Sequence, residues 1–291
     1  MKIKFLRLLL ALILIFAASG VGAETSVWVV KSTTSTVYLA GSCHVLRSSD
    51  HPLPAEFFSA YVDSRKVVLE ASIADMAKPE YLGKLLLAAT YNDGTTLKQH
   101  LSPQAYLKAE AFCKERSYPI EQYQSFRPWM FAMTLTMSEM ARIGADANNG
   151  VDYFFNEKAQ KDQKMLESLE TVDQQIGFLT MMDTIMVNDQ IIETIDELTQ
   201  INTLGPEILN AWKKGDEAKI EALNLNELKN YPKLYQALIV DRNRKWISNI
   251  EGYLGGSENT MVIVGVAHLV GNNSVINLLR KRGYKVVKLQ K

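Results

Sequence analysis

Two of the four histidines sit in copies of one pattern. Residues 37–44 read Val-Tyr-Leu-Ala-Gly-Ser-Cys-His and residues 261–268 read Met-Val-Ile-Val-Gly-Val-Ala-His. Each is an apolar run followed by Gly-x-x-His. With four histidines and 16 glycines in 291 residues, chance supplies about 0.2 such tetrads. An imidazole exchanges protons near neutral pH and ligates metals. Gly41 and Gly265, at the ends of strand-like runs, permit positive φ or close approach of a ligand. Glu70 closes a third apolar run, Lys66 to Glu70 (KVVLE). His44, His268 and Glu70 are the ligand types of hydrolytic zinc and non-haem iron sites. A divalent ion there acidifies a bound water and polarises a carbonyl. The same groups also suit metal-free acid–base work, with a histidine as base and Glu70 orienting it. The chain has no His-Glu-x-x-His and no ligand pair at helical spacing, so both chemistries stay open.

Other residues extend or border this set. Arg242 and Asn243 lie in Leu-Ile-Val-Asp-Arg-Asn-Arg-Lys-Trp (238–246), where the Arg242 fork suits a carboxylate or an oxyanion. Asp152 follows Gly150 at a helix start and reads as a capping residue. His51 and His100 lie in polar contexts and read as surface residues. The two cysteines, Cys43 and Cys113, form no Cys-x-x-Cys, which disfavours a thiol-redox enzyme. Cys43 reads as a small buried residue, with a disulfide, a reactive thiol and a soft metal ligand as alternatives.

The elements that must position these groups are strands at the two ends and helices between. Val27 to Lys31 and Thr36 to Ala40 read as a hairpin, Lys66 to Glu70 and Met261 to Gly265 as further strands. Ser274 to Arg282 reads as a helix stopped by Gly283, before a last strand from Lys285 to Leu289. That closing strand–helix–strand unit is long enough to join parallel strands. In the middle, Ser102-Pro103, Pro128, Gly150-Val151 and the capping box Thr171-x-x-Gln174 open helices. The reading is an α/β fold (α+β mixed): a central mixed sheet built from N- and C-terminal segments, with a long helical insertion over about residues 75–250.

Lys2, Lys4 and Arg7, the apolar stretch Leu8 to Ala18 and the small residues Val21-Gly22-Ala23 make residues 1–23 a secretory signal peptide. A single domain is expected over 24–291, secreted to the bacterial periplasm, with no integral membrane domain after signal cleavage. With 47% apolar and 22% charged residues, it builds a large core without staples. Zero formal net charge argues against a nucleic-acid partner.

Eight segments carry a family resemblance in order: YLAGSCHVL (38–46), VVLEAS (67–72), RPWMFA (127–132), GVDYFF (150–155), LESLET (166–171) with Gln174 and Gln175, DRNRKWISNI (241–250), VIVGVAHLVG (262–271) and LLRKRGYKVVKL (278–289). The chain resembles the TraB/PrgY/GumN family, which is similar to Tiki-type metalloproteases. The resemblance implies a sheet-plus-helices fold and a site holding His44, Glu70 and His268. Gly41 and Gly265 would shape that site, with Arg242 and Asn243 beside it. Glu170, in the Leu-Glu-Thr block, would be a second carboxylate or a structural cap. The expected function is a secreted metal-dependent hydrolase, a peptidase acting on a peptide or small-molecule substrate. His44, His268 and Glu70 would hold a divalent ion, and Arg242 would stabilise the oxyanion or anchor the substrate. A non-catalytic peptide- or haem-binding protein and a metal-free esterase are the alternatives.

Overall fold

The structure is a computed structural model that describes residues 25–185 and 187–290. The signal peptide read over residues 1–23 lies outside the described residues. The chain starts with β1 (Val27–Lys31), β2 (Thr36–Ser42) and the short β3 (Leu46–Arg47), then α1 (Ala55–Asp63) and β4 (Lys66–Leu69). Helices α2 (Ile73–Met76), α3 (Pro79–Ala89), α4 (Leu97–His100), α5 (Pro103–Arg116) and α6 (Pro128–Arg142) follow. Next come β5 (Ala145–Asp146), α7 (Val151–Lys161) and β6 (Met165–Ser168). A second helical run holds α8 (Val172–Ile185), α9 (Val187–Thr199), α10 (Ile201–Lys214), α11 (Glu217–Lys229) and α12 (Pro232–Tyr235). A π-helical segment, Gln236–Asp241, leads into α13 (Arg242–Leu254), and β7 (Thr260–Gly265), α14 (Val275–Lys281) and β8 (Val286–Lys288) close the chain.

The main sheet has strand order β6-β4-β7-β2-β1-β8. β2, β4, β6 and β7 pair in parallel, and β1 pairs antiparallel with both β2 and β8. The mixed sheet is therefore drawn from both chain ends except for β6, which comes from the middle of the chain, inside the stretch read as a helical insertion. The final strand–helix–strand unit does return its last strand in the direction of β7, but β8 docks beyond β2 and β1 at the sheet edge. β6 is a strand that the apolar-run reading passes over. It is the other edge, and its residues alternate between exposed and half-buried, so it carries no continuous apolar signal.

Alternation along the strands makes both faces of the sheet apolar. Val27, Val29, Ala40, Val67 and Ile263 face Phe57, Phe155 and Trp212. Trp28, Leu39, Val68, Val262 and Val264 face Trp246, Ile250 and Leu279 on the other side. A separate cluster of Phe112, Phe131, Leu135 and Ile195 binds the helices together. Among the described residues, no helix is long and apolar enough to cross a membrane.

Two register facts position the functional residues. β2 and β7 are adjacent and parallel, with Gly41 opposite Val264 and Ser42 opposite Gly265. Both Gly-x-x-His motifs thus leave the sheet at one end, staggered by a single residue. β4 flanks β7 on its other side and ends at Leu69, which brings Glu70 to the same end. Ligands of open α/β sheets sit at the carboxyl ends of parallel strands for this reason.

Candidate active site

The two histidines of the paired motif occupy different environments. His268 lies in a 3-10 turn, Val266–Leu269, and is 5% exposed. The His44 side chain, in the loop after β2, is 55% exposed. Arg242 ties His268 to Glu70, and Glu70 and His44 approach each other at Gly265. Arg242 Nη1 donates to His268 Nε2 at 3.2 Å, and Arg242 Nη2 donates to Glu70 Oε2 at 2.5 Å. The backbone N–H of Gly265 donates to Glu70 Oε1 at 2.6 Å.

Gly265 has φ −49°, so it is needed for room and not for a left-handed conformation. A Cβ there would lie 2.9 Å from His44 Nε2 and 3.3 Å from Glu70 Oε1. His44 Nε2 and Glu70 Oε1 therefore both pack against the bare α-carbon of Gly265, no more than about 6 Å apart. Gly41 serves packing in the same way, since a Cβ on it would meet Val266 Cγ2 at 2.8 Å.

Arg242 is buried, and its guanidinium holds the cluster together. Nε and Nη2 form a fork on Glu170 at 2.8 and 2.9 Å. Nη2 also reaches Glu70, and Nη1 reaches His268 and the Leu238 carbonyl, the latter at 3.4 Å. Five donor hydrogens thus meet five acceptor contacts. The rings of Phe178 and Trp246 lie 4.9 and 5.0 Å from the guanidinium carbon, giving two cation–π contacts. The π-helical segment ends where Arg242 begins, a placement common next to functional sites. Arg242 is thus engaged with carboxylates behind the cleft instead of being presented to it.

The remaining partners fix protonation. Asn243 Nδ2 donates to the Asn273 carbonyl at 2.8 Å, so its Oδ1 faces His268 Nδ1 at 2.6 Å. His268 consequently carries its proton on Nδ1 and accepts from Arg242 at Nε2. Burial depresses its pKa to about 4, helped by the charges of Arg242 and His44 and opposed by Glu70, so the ring is neutral at pH 7. Burial opposes ionisation of Glu70, yet the charges of Arg242 and His44, the Gly265 N–H and, in the acid range where Glu70 titrates, a protonated His268 hold it at about 2. Burial also works against charge on His44. The bond to Asp152 and the negative charges of Asp152 and Glu70 outweigh it and raise the ring to about 9. Glu170 accepts from Trp246 Nε1 at 2.9 Å and Gln175 Nε2 at 2.7 Å besides Arg242.

A cleft of about 250 Å³ opens in front of this cluster. His44, Glu70, Asp152 and Gln175 form its polar wall, and Leu69, Ala71, Ile73, Met76 and Ile263 its apolar wall. His268 and Arg242 stand behind it. Asp152, read from the sequence as a cap, is half-buried with Oδ1 3.1 Å from His44 Nδ1. Its helix, α7, has Gly150 at the N-cap and no side-chain cap. The GVDYFF block carries the one sequence signal that singles this residue out. His51 and His100 lie elsewhere: His51 Nε2 meets the Asn149 carbonyl at 2.9 Å, and His100 is stacked on Tyr91. Cys43 and Cys113 are both free thiols.

The donor set bears on the divalent ion. His44 and Glu70 line one cleft, but His268 Nε2 faces a permanent cation 3.2 Å away. Among the described residues, no group of three His, Cys, Asp or Glu is arranged to hold one ion. His44, Glu70 and His268 do not fit a single ion together while Arg242 stays where it is.

Comparison with known proteins supplies kinship. The chain is 22% identical over 247 residues to "Uncharacterized protein YbaP" of Escherichia coli (strain K12), covering 84% of this chain and 87% of that protein. It is similar to the same degree to the protein of that name from Shigella flexneri. No solved structure matches it. Residues 26–288, from the first strand to the last, match the TraB/PrgY/gumN family, and the chain belongs to that family.

Proposed function

We propose that this protein is an exported hydrolase of acyl bonds, acting on a peptide or a small ester, with His44 and Glu70 as its reacting pair. One observation carries the reading: two groups whose pKa values are driven apart, to about 9 and about 2, line one cleft side by side, both packed on Gly265. Such pairs divide acid and base roles between them. A water in the cleft beside the pair gives a proton to Glu70 while its oxygen attacks the acyl carbon. The scissile C–N or C–O bond breaks as the leaving atom takes the Nε2 proton of the His44 imidazolium. Glu70 then returns its proton to His44. Glu70 is a weak base, so its proton moves on readily to the neutral ring. Arg242, Glu170, His268 and Asn243 hold Glu70 in place from behind. The apolar wall suits a small apolar side chain or acyl group. The signal-like N-terminus supports export to the periplasm.

A second reading is a divalent ion on His44 and Glu70, as Tiki-type likeness suggests. Three carboxylates, Glu70, Glu170 and Asp152, against the Arg242 guanidinium leave the cluster short of positive charge, and a protonated His44 only narrows that deficit. A cation at His44 would answer the same deficit.

The test is turnover of peptide and p-nitrophenyl ester panels by the wild-type protein, His44→Ala and Glu70→Gln, with and without chelator. Chelator-resistant turnover that falls at least about 100-fold in both variants supports the acid–base pair. Turnover lost to chelator and restored by one divalent ion supports the second reading. Turnover unchanged in His44→Ala removes both. Peptide or haem retention without turnover identifies a binding protein.

A further inference from the structure

A proton-exchanging imidazole needs its ring held so that the correct nitrogen meets the substrate. Asp152 and Ser42 are placed to do this for His44. Asp152 Oδ1 lies 3.1 Å from His44 Nδ1 and accepts from Ser42 Oγ at 2.7 Å. Ser42 is 2% exposed, at the end of β2. A carboxylate only accepts hydrogen bonds, so the hydrogen between Asp152 and the ring belongs to Nδ1. The other ring nitrogen, Nε2, is then left to the cleft that His44 lines.

The mounting is rigid. Val151, Phe155 and Ala159 anchor α7 in the core. The Val151 N–H donates to the Cys43 carbonyl at 3.1 Å. Gly150 packs so close to the His44 backbone that a Cβ would lie 2.2 Å from the His44 carbonyl oxygen. The helix and the His44 loop are therefore clamped at main-chain level, beside the side-chain contact. Capping does not account for Asp152, because its Oδ1 is engaged with Ser42 and His44.

We infer that Asp152 is a positioning residue: with Ser42 it keeps the His44 proton on Nδ1, so that exchange with substrate runs through Nε2 alone. The inference rests on the reading of His44 as the reacting group, and its test does not need turnover. Protein labelled with ¹⁵N-histidine is examined by long-range ¹H–¹⁵N correlation at about pH 10, where the His44 ring is largely neutral. The wild-type ring shows the Nδ1–H form. Asp152→Ala shifts it mainly to the Nε2–H form that free imidazole prefers, and Asp152→Glu restores part of the Nδ1–H signal. Where turnover is measurable, Asp152→Ala lowers kcat at least about tenfold with KM within about twofold. An Nε2–H ring in the wild type, or an Nδ1–H ring retained in Asp152→Ala, overturns the inference. If Asp152→Ala does not fold, Ser42→Ala serves instead, and an unchanged Nδ1–H signal there removes the role of Ser42. A wild-type Nδ1–H ring lost in Asp152→Ala, in a protein without turnover, upholds the positioning role while the hydrolase reading fails.

Discussion

Arg242 and Glu170 meet through a two-pronged contact, Nε to Oε1 at 2.8 Å and Nη2 to Oε2 at 2.9 Å, between residues that are each 7% exposed. The pair lies behind the cleft and lets the one guanidinium also hold Glu70. Removing one partner of a buried pair leaves the other charged and unpaired, at a cost of about 3–5 kcal/mol. Arg242→Ala and Glu170→Ala should each lower unfolding free energy by about that much in urea titrations. Arg242→Lys should also be destabilised, because an ammonium cannot reproduce the fork. A loss below about 1 kcal/mol in Arg242→Ala would make this an ordinary surface-type pair.

Gly265 separates fold from chemistry. Its φ of −49° suits any residue, but an added Cβ would come within 2.9 Å of His44 Nε2 and 3.3 Å of Glu70 Oε1 and push the pair out of place. Gly265→Ala should remain folded, with circular dichroism like the wild type, while turnover falls about tenfold or more, equal to about 1.4 kcal/mol of barrier. Full activity in a folded Gly265→Ala protein would show that the reaction does not depend on how His44 and Glu70 pack against Gly265.

The sheet and most of its strands are legible in the sequence because buried parallel strands are written as unbroken apolar runs. The edge strand β6 is not, since half of it faces solvent. His44, Glu70 and His268 stand out as polar residues closing such runs. Their partners do not: Glu170 is 72 residues from Arg242 and Glu70 is 172 away, so no local spacing records the cluster. Asp152 escapes for a different reason. An acidic residue in a first helical turn is ordinary capping chemistry, and only the fold shows that its oxygen meets His44. The π-helical segment before Arg242 leaves no trace in residue type either. It shifts the register that brings Arg242 and Asn243 to the strand ends, within a sequence that reads as one helix.

Asn243 controls the state of His268. It is fully buried, accepts the Nδ1 proton through Oδ1 and donates through Nδ2 to the Asn273 carbonyl. In Asn243→Asp the amide donor is lost and a buried carboxylate faces Nδ1. That charge favours the imidazolium, whose new Nε2–H would point at Arg242 Nη1, donor against donor. The expected result is a loss of about 1–3 kcal/mol of stability, with His268 ¹⁵N shifts moving toward the cationic form at pH 6. An unperturbed His268 spectrum in a stable Asn243→Asp protein would contradict the assigned hydrogen bonds.

The two histidines of the paired motif should limit stability on opposite sides of neutrality. His268 falls from an ordinary value of 6.5 to about 4 when folded, chiefly through burial. Between those values the unfolded chain binds the extra proton, so stability drops as pH falls, by on the order of 3 kcal/mol. Glu70, held at about 2 against an ordinary 4.5, adds a further loss below that upper value. His44 behaves in the opposite sense. It rises from 6.5 to about 9 against the opposing effect of burial, through Asp152 and Glu70, so its contribution is complete below 6.5 and fades as pH climbs through 9. Because His44 is half-exposed, solvent screens its effect and the alkaline limb is the shallower one. Urea midpoints measured from about pH 4 to pH 10 should trace a dome with its top near pH 6.5. His268→Gln should flatten the acid limb above about pH 4.5 and leave the alkaline one, and His44→Gln should do the reverse. An acid limb of the same depth in His268→Gln would mean that the ring is not held neutral by the fold, and with it the Arg242–His268 contact would lose its chemical basis.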